Sequence, residues 1–324
     1  MIPVGVLVAP YRAEPGHPRD RAIGRAALAL RARGVDAVFG HEAADGRLTG
    51  LRATPSGWSV ARDVAIVAAY DRFPSQSRPA AWQALATGLG RVPVLNPSAA
   101  VALCRDKVAC QRALEQAGVS MPPIEVEPAR FDPSVRAWGA AFLKPRHGAF
   151  GRGVRQVFPG DPLAASGRGA APRQSDTLFL QCAISPPAGW AGVSLRVNAQ
   201  RLPDGGWHVN PPVARRSLTD AVVNAARGAE VAPGDEVYPA LAQELRQRVR
   251  AVAEAIATAS AAPRLLEVGV DLVVDGDGFP WVIEVNGRPR GRLEALAAVD
   301  PERWEAEHVA AVARPLDTLA RWYG

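Results

Sequence analysis

Lysine is nearly missing from this chain. Of its 38 basic residues only Lys107 and Lys144 are lysines, and arginine serves almost everywhere else. Where lysine survives, a compact ammonium on a slim stem is expected to be needed, because a planar guanidinium does not fit the same hole. Cysteine is scarce too. Cys104, Cys110 and Cys182 form no CxxC pair and are odd in number, which points to free thiols in a reducing cytoplasm. No apolar run approaches the ~20 residues of a membrane span, so a membrane partner is not expected. Met1 to Pro10 lacks a basic leader and is interrupted by Pro3, Gly5 and Pro10, so it reads as a first strand rather than a signal peptide. Basic runs interleaved with aromatics are absent as well. The net charge of +6 and pI near 9.8 therefore suit an anionic small molecule or peptide at least as well as nucleic acid.

What is present describes a soluble globular protein of 324 residues, 48% apolar and 22% charged, long enough for two or three lobes. Val4 to Ala9 reads as a strand and Arg19 to Arg33 as a helix stopped by Gly34, with Val35 to Phe39 the next strand. Leu48 to Val60 turns at Pro55-Ser56-Gly57 as a hairpin. Val64 to Ala69 is a buried strand emptying into Tyr70 to Ser75, and a helix over Pro79 to Leu89 precedes a short strand, Val92 to Leu95. This alternation predicts an open α/β domain over roughly the first hundred residues. The loops Pro10 to Glu14 and Tyr70 to Ser75 then lie beyond strand ends, where such sheets bind ligands, or are mere connections. Asp106 to Gly118 reads as a helix, the Gly-, Ala-, Ser- and Pro-rich Pro159 to Gln174 as a mobile insertion, and Tyr238 to Ala261 as a long amphipathic helix. Leu293 to Ala298 and a terminal helix from Pro301 follow.

Leu265 to Arg292 organises the rest. Leu272 to Val274 and Trp281 to Val285 are strand-like, and Asp275-Gly276-Asp277-Gly278 between them is turn chemistry, so a β-hairpin is predicted. Side chains alternate along a strand, so Glu284 and Asn286 share a face. Pairing Val274 with Phe279 sets Asp271 opposite Val282 and on that same face. Two carboxylates and an amide oxygen then converge, a set suited to Mg²⁺, or else the acids simply decorate a solvated hairpin. Glu284 lies between apolar neighbours, where an unpaired carboxylate is costly, and this favours a ligand role.

Phe142 to Val154, FLKPRHGAFGRGV, ends a strand in Lys144 and continues into a loop with glycines at 148, 151 and 153. Glycines let backbone amides approach phosphate oxygens, and lysine adds a point charge. The spacing is neither Walker A nor GxGxxG, so a plain glycine-rich hairpin also fits. His147 in the same loop is either a base or a surface histidine.

Taken in order, Lys107 before a helix, Lys144 before the glycine-rich loop, Leu178 to Gln181 and the acidic hairpin resemble the ATP-grasp superfamily with its glutathione-synthetase-like lobes. Within it, SLRVNAQRLPDGGWHVNPPVARR, the pair Asn224 and Gly228, and GVDLVVDGDGFPWVIEVN are similar to the YheC/YheD-like, spore-coat-associated branch. The resemblance spans roughly residues 90 to 295, and the first ninety match only in architecture. It implies an α/β, ATP-grasp fold with a pre-ATP-grasp domain over 1–100, a small lobe over 101–182 and a C-terminal lobe over 183–324. It further implies that Lys107 and Lys144 contact nucleotide phosphates, Lys144 lying also near adenine, and that Gly148, Gly151 and Gly153 close over those phosphates. Gln181, Cys182 and Ile184 become part of an adenine-reading hinge. Asp271, Glu284 and Asn286 hold Mg²⁺, and Arg196, Arg215 and Asn224 face the γ-phosphate and a reacting carboxylate.

Three departures bear on the substrate. Ser194 replaces the usual acid before the motif arginine, Ala229 replaces a second glycine, and Gly287-Arg288-Pro289-Arg290 is more basic than usual. The implied activity is an ATP- and Mg²⁺-dependent carboxylate–amine ligase working through an acyl phosphate on small-molecule or peptide substrates, in a cytoplasmic protein that could form a homo-oligomer. A nucleotide-binding assembly protein without turnover and a kinase are the alternatives.

Overall fold

The computed structural model describes residues 1–10, 18–75, 77–148, 151–163, 177–223, 228–289 and 293–324. The N-terminal part is built from β1 (Ile2–Leu7), α1 (Pro18–Ala32), β2 (Val35–Ala44), β3 (Arg47–Thr54), β4 (Gly57–Ala65), β5 (Ala68–Asp71), α2 (Pro79–Leu89) and β6 (Val94–Leu95). Its sheet runs β4-β3-β2-β1-β5-β6. The β2-β1-β5-β6 pairings are parallel and those of β3 and β4 antiparallel. The expected open α/β unit is present, with two differences. Asp45 and Gly46, both at positive φ, turn β2 directly into β3, as Asp-Gly favours. The apolar run Val64 to Ala69 is two strands, because β4 ends at Ala65 and β5 begins at Ala68. Both flanks of that corner are apolar, so composition leaves the break unmarked.

The chain continues through α3 (Ser98–Arg105), α4 (Lys107–Gln116), β7 (Ile124–Glu125), α5 (Phe131–Trp138), β8 (Ala141–Pro145), β9 (Arg155–Val157) and β10 (Leu178–Cys182). These strands form an antiparallel sheet ordered β7-β10-β8-β9. Phe131 and Val135 of α5 pack on its Ala141, Leu143, Val157 and Leu180. Residues 164–174, most of the expected mobile insertion, lie outside the described residues.

The third sheet comes from β11 (Gly192–Arg201), β12 (Trp207–Val209), β13 (Val213–Ser217), β14 (Glu230–Pro233), β15 (Glu267–Val274) and β16 (Pro280–Asn286), ordered β14-β13-β11-β15-β16 with β12 also on β11. α6 (Gly234–Val237) precedes the helix expected over Tyr238 to Ala261, which is present as α7 (Ala242–Ala259). Pro239 opens a short 3-10 turn between them, since proline is tolerated in a first helical turn but not further inside. One face of β11 and β15 (Leu195, Val197, Ala199, Val268, Val270, Leu272) buries against Leu245, Val249, Val252 and Ile256 of α7 and Cys110 and Leu114 of α4. Each such side chain contributes about 1.5–3 kcal/mol. Period-two alternation then turns Ser194, Arg196, Asn198 and Gln200 to the other face, all of them still buried. After α8 (Leu293–Val299), α9 (Pro301–Tyr323) returns to the N-terminal sheet, where Leu316, Leu319 and Ala320 join Val4, Val6 and Leu30 in one core. Among the described residues no helix is long and apolar enough to cross a membrane.

Candidate active site

The acidic hairpin forms, in a register different from the one expected. Val274 pairs with Pro280 and Leu272 with Val282, then the ladder shifts so that Asp271 faces Glu284 and Gly269 faces Asn286. Ile283 is the extra residue of a β-bulge, which bends a strand and re-aims its side chains. The three oxygen-bearing groups therefore do share a face, by way of the bulge and not by the Asp271–Val282 pairing. Asp275 is the organiser of the turn. Its carboxylate accepts from the backbone of Asp277 (3.0 Å) and Phe279 (2.8 Å) and from the Trp281 indole (2.8 Å).

Asp271 is the most heavily engaged of the set. Arg196 grips it with Nε at 2.7 Å and Nη2 at 2.5 Å, and Arg215 donates Nη2 at 2.6 Å. Register explains the grouping: Arg196 stands opposite Asp271 between β11 and β15, and Arg215 comes from the adjoining strand β13. Burial pushes the Asp271 carboxyl up, but the two guanidiniums outweigh it and hold the group at about 2. Asn286 donates Nδ2 to the same carboxylate at 3.2 Å, leaving its Oδ1 available. Glu284 is half-buried and has no hydrogen bond or ion pair among the described residues.

Lys144 is the penultimate residue of β8 and is buried. Its partner is an amide, not an acid: Nζ donates to Gln181 Oε1 at 2.5 Å. Gln181 in turn donates to Gln111 (3.0 Å), which donates to Glu115 and to the Pro122 carbonyl (both 2.7 Å). Burial lowers the Lys144 amine to about 8, with Glu284 pulling it back up. Lys107 opens α4, where Asp106 caps the helix through the Ala109 amide (3.0 Å) and takes a bidentate grip from Arg146 (2.8 and 2.6 Å). Lys107 Nζ reaches the Gly148 carbonyl at 2.9 Å, so one lysine is tied to the glycine-rich loop. Gly148, Gly151 and Gly153 all have positive φ, a conformation that glycine adopts without penalty.

The remaining expectations divide. At the hinge, the Cys182 and Ala183 amides donate to Pro123 and Ala140 carbonyls, while the Ile184 amide has no backbone partner among the described residues. Asn224 lies outside the described residues. His147 is exposed, as a surface loop histidine would be. The groups present fit a magnesium ion: Mg²⁺ usually takes one or two carboxylates plus substrate phosphates. Glu284 and Asn286 Oδ1 are the free donors, and Asp271 can serve only while shared with its arginines.

Several supporting residues escape a sequence reading. Gln111 braces Gln181, the partner of Lys144, and Asp106 caps the helix that Lys107 opens. Asn96 stitches β15 to the loop after β16: its Oδ1 accepts from Leu266 (2.8 Å) and Glu267 (3.1 Å), and its Nδ2 donates to the Glu267 carbonyl (2.7 Å) and to Gly287. Gly269 lets that loop lie on the sheet, because a Cβ there would stand 2.6 Å from Pro289 Cβ. Asn96-Pro97 reads locally as a breaker, and nothing local announces the distant partners of Asn96.

The chain is similar to the D-cycloserine synthetase DcsG (15% identity, TM-score 0.61, covering 99% of this chain and 100% of that one). It is similar also to the VanG D-Ala:D-Ser ligase of Enterococcus faecalis (12%, 0.58, 100% and 99%). A third likeness is to N5-carboxyaminoimidazole ribonucleotide synthetase of Thermotoga maritima (13%, 0.54, 97% and 76%). No curated protein matches the chain. The fold is that of the ATP-grasp superfamily. Within it, residues 191–308 match the YheC/D-like ATP-grasp family.

Proposed function

We propose that this protein is an ATP-dependent carboxylate–amine ligase. The observation that carries the reading is that, among the described residues, the buried Lys144 of the second sheet has no acidic partner and Glu284 of the third sheet has no basic one. Lys144 and Glu284 sense each other electrostatically yet neither is neutralised by a contact, which suits a polyanion with its cation between them. The three-part division at residues 100 and 182 and every site role below belong to this proposal.

ATP would lie between the second and third sheets, with Lys144 and Lys107 on its phosphates, Gly148 to Gly153 over them and the Ile184 amide toward adenine. Glu284 and Asn286, with Asp271 beside them, would hold Mg²⁺, which when bound offsets phosphate charge. The chain's own work is positioning and charge neutralisation. Arg196 and Arg215, fixed by Asp271, would present guanidinium edges where a carboxylate accepts the γ-phosphoryl group. The acyl phosphate so formed would lose phosphate to an attacking amine, giving an amide, ADP and phosphate. Asn224 is proposed to face the same group.

A passive nucleotide-binding protein is the second reading, favoured by the engagement of both arginines with Asp271. ADP release measured against a panel of carboxylates and amines, with product masses, decides between them. Substrate-dependent ADP with an amide product supports the ligase. ATP binding without any such release supports the binder.

A further inference from the structure

The strand order of the N-terminal sheet reverses at β1, which has β2 on one side and β5 on the other. In open α/β sheets the crevice at the carboxyl ends of such neighbours is where ligands sit. Here that edge is marked by Leu7 and Asp71, the last pair of β1 and β5. Asp71 is buried, and its carboxylate accepts the Phe73 amide at 3.0 Å and Arg288 Nη1 at 2.7 Å. Arg288 arrives from the opposite side, two residues beyond Asn286.

The guanidinium is held by one edge only. Nη1 also reaches the Phe73 carbonyl (3.3 Å), and Nη2 reaches Ser75 Oγ (2.8 Å). Nε has no partner among the described residues, and the side chain remains 23% exposed. Its backbone is pinned on both sides: Asn96 holds the Gly287 carbonyl, and Arg72 Nη1 donates to the Pro289 carbonyl at 2.5 Å. A staple between two lobes needs a single ion pair. This arrangement instead fixes the fork through Nη1 and Nη2 and leaves its Nε edge without a partner among the described residues. Such an edge matches a carboxylate bidentately.

Resting on the ligase reading above, we propose that the Nε–Nη2 edge of Arg288 binds the carboxylate of the amine-bearing substrate, which is therefore an α-amino acid or a peptide rather than a simple amine. In an α-amino acid one carbon separates the amine from the carboxylate. A carboxylate held two residues past Asn286 thus keeps its amine beside the strand that carries Glu284.

The test uses the full chain with MgATP and a panel of L- and D-amino acids, each against its own carboxamide, read by thermal shift and by ADP release. At least one amino acid should bind and its carboxamide should not. Arg288→Gln should weaken that amino acid about tenfold or more in Kd or KM, the size of a charged hydrogen-bond pair, with partial rescue in Arg288→Lys. The ATP response, unchanged within about twofold, shows that the variants fold. Equal behaviour of acid and carboxamide, an Arg288→Gln variant without effect, or ATP binding with no amino acid bound would each overturn the proposal. The last would leave the ligase reading open for other amines. Arg288-dependent binding of an amino acid with no ADP release would instead sink the ligase reading and keep the site.

Discussion

Lys144 and Asp271 are both buried ionisable groups, one on each sheet of the candidate site, and their surroundings treat charge in opposite ways. Lys144 leans on the neutral amide of Gln181, so burial wins and its amine falls to about 8. Asp271 sits between two guanidiniums that overcome burial and hold it at about 2. One site is short of an opposite charge and the other has it in excess. A group left short is poised for a ligand, whereas a saturated group is architecture that ligands must share. By this measure Glu284, without a partner among the described residues, resembles Lys144 more than it resembles Asp271, its cross-strand neighbour.

The largest effect should come from breaking the saturated side. Asp271→Asn leaves Arg196 and Arg215 facing each other without a counter-charge, and removing one member of a buried pair costs about 3–5 kcal/mol. Urea unfolding at about pH 7 should show this loss directly. The sign with pH follows from a depressed carboxyl. Its stabilisation is complete above the ordinary value of 3.8 and disappears as pH falls through about 2. The parent should therefore lose stability across that window more steeply than the variant. Equal slopes would mean that the arginines are not engaging an ionised Asp271.

Breaking the unsatisfied side should act in the opposite direction. The Lys144 amine titrates near 8 in the folded chain against 10.5 ordinarily, so the unfolded state binds more protons between those values. Stability should rise with pH across that interval, and below about pH 8 the full penalty for charging a buried amine is present. The shift corresponds to about 3 kcal/mol, less about 1 for the hydrogen bond to Gln181. Lys144→Met should accordingly stabilise the ligand-free protein by roughly 2 kcal/mol at about pH 7 while weakening ATP. Binding MgATP near pH 8.5 should draw up to about one proton into the parent and none into the variant, measured by calorimetry in buffers of different ionisation enthalpy. Proton uptake that persists in Lys144→Met would assign it elsewhere.

The same contrast explains what could be read from the residues alone. A lone acid in an apolar strand and a lysine in an arginine-rich chain are local anomalies, so Glu284 and Lys144 stood out before any geometry. The bulge at Ile283 has no such mark, because an isoleucine fits a regular strand equally well, and Asp271 was brought to the right face by the wrong pairing. Gln111 and Gln181 are ordinary amides until the fold joins them. Asp71, Arg72 and Asn96 meet the loop at 287–289 only because the N-terminal sheet and the hairpin close on each other. The Asp45-Gly46 turn is different: its signal was legible, but the strand before it was expected to end at Phe39. Anomalies of one residue are visible in a sequence, and partnerships between distant ordinary residues are not.

Glu284→Gln sharpens the comparison by having the smallest effect on the protein itself. The side chain is half-buried and no contact to the described residues is lost, so stability without ligand should stay within about 0.5 kcal/mol of the parent. If anything it should fall within that limit, because the acid favours the charged forms of Lys144 and Arg196. The magnesium-dependent part of the ATP thermal shift should nevertheless fall sharply, since an amide replaces the one carboxylate not committed to arginine. The shift produced by ATP without magnesium should change little, because Lys144 and Lys107 remain. The opposite pattern, a destabilised variant with an intact magnesium response, would make Glu284 a structural acid and move the metal to Asp271. That outcome would also end the distinction between saturated and waiting groups on which the assignment rests.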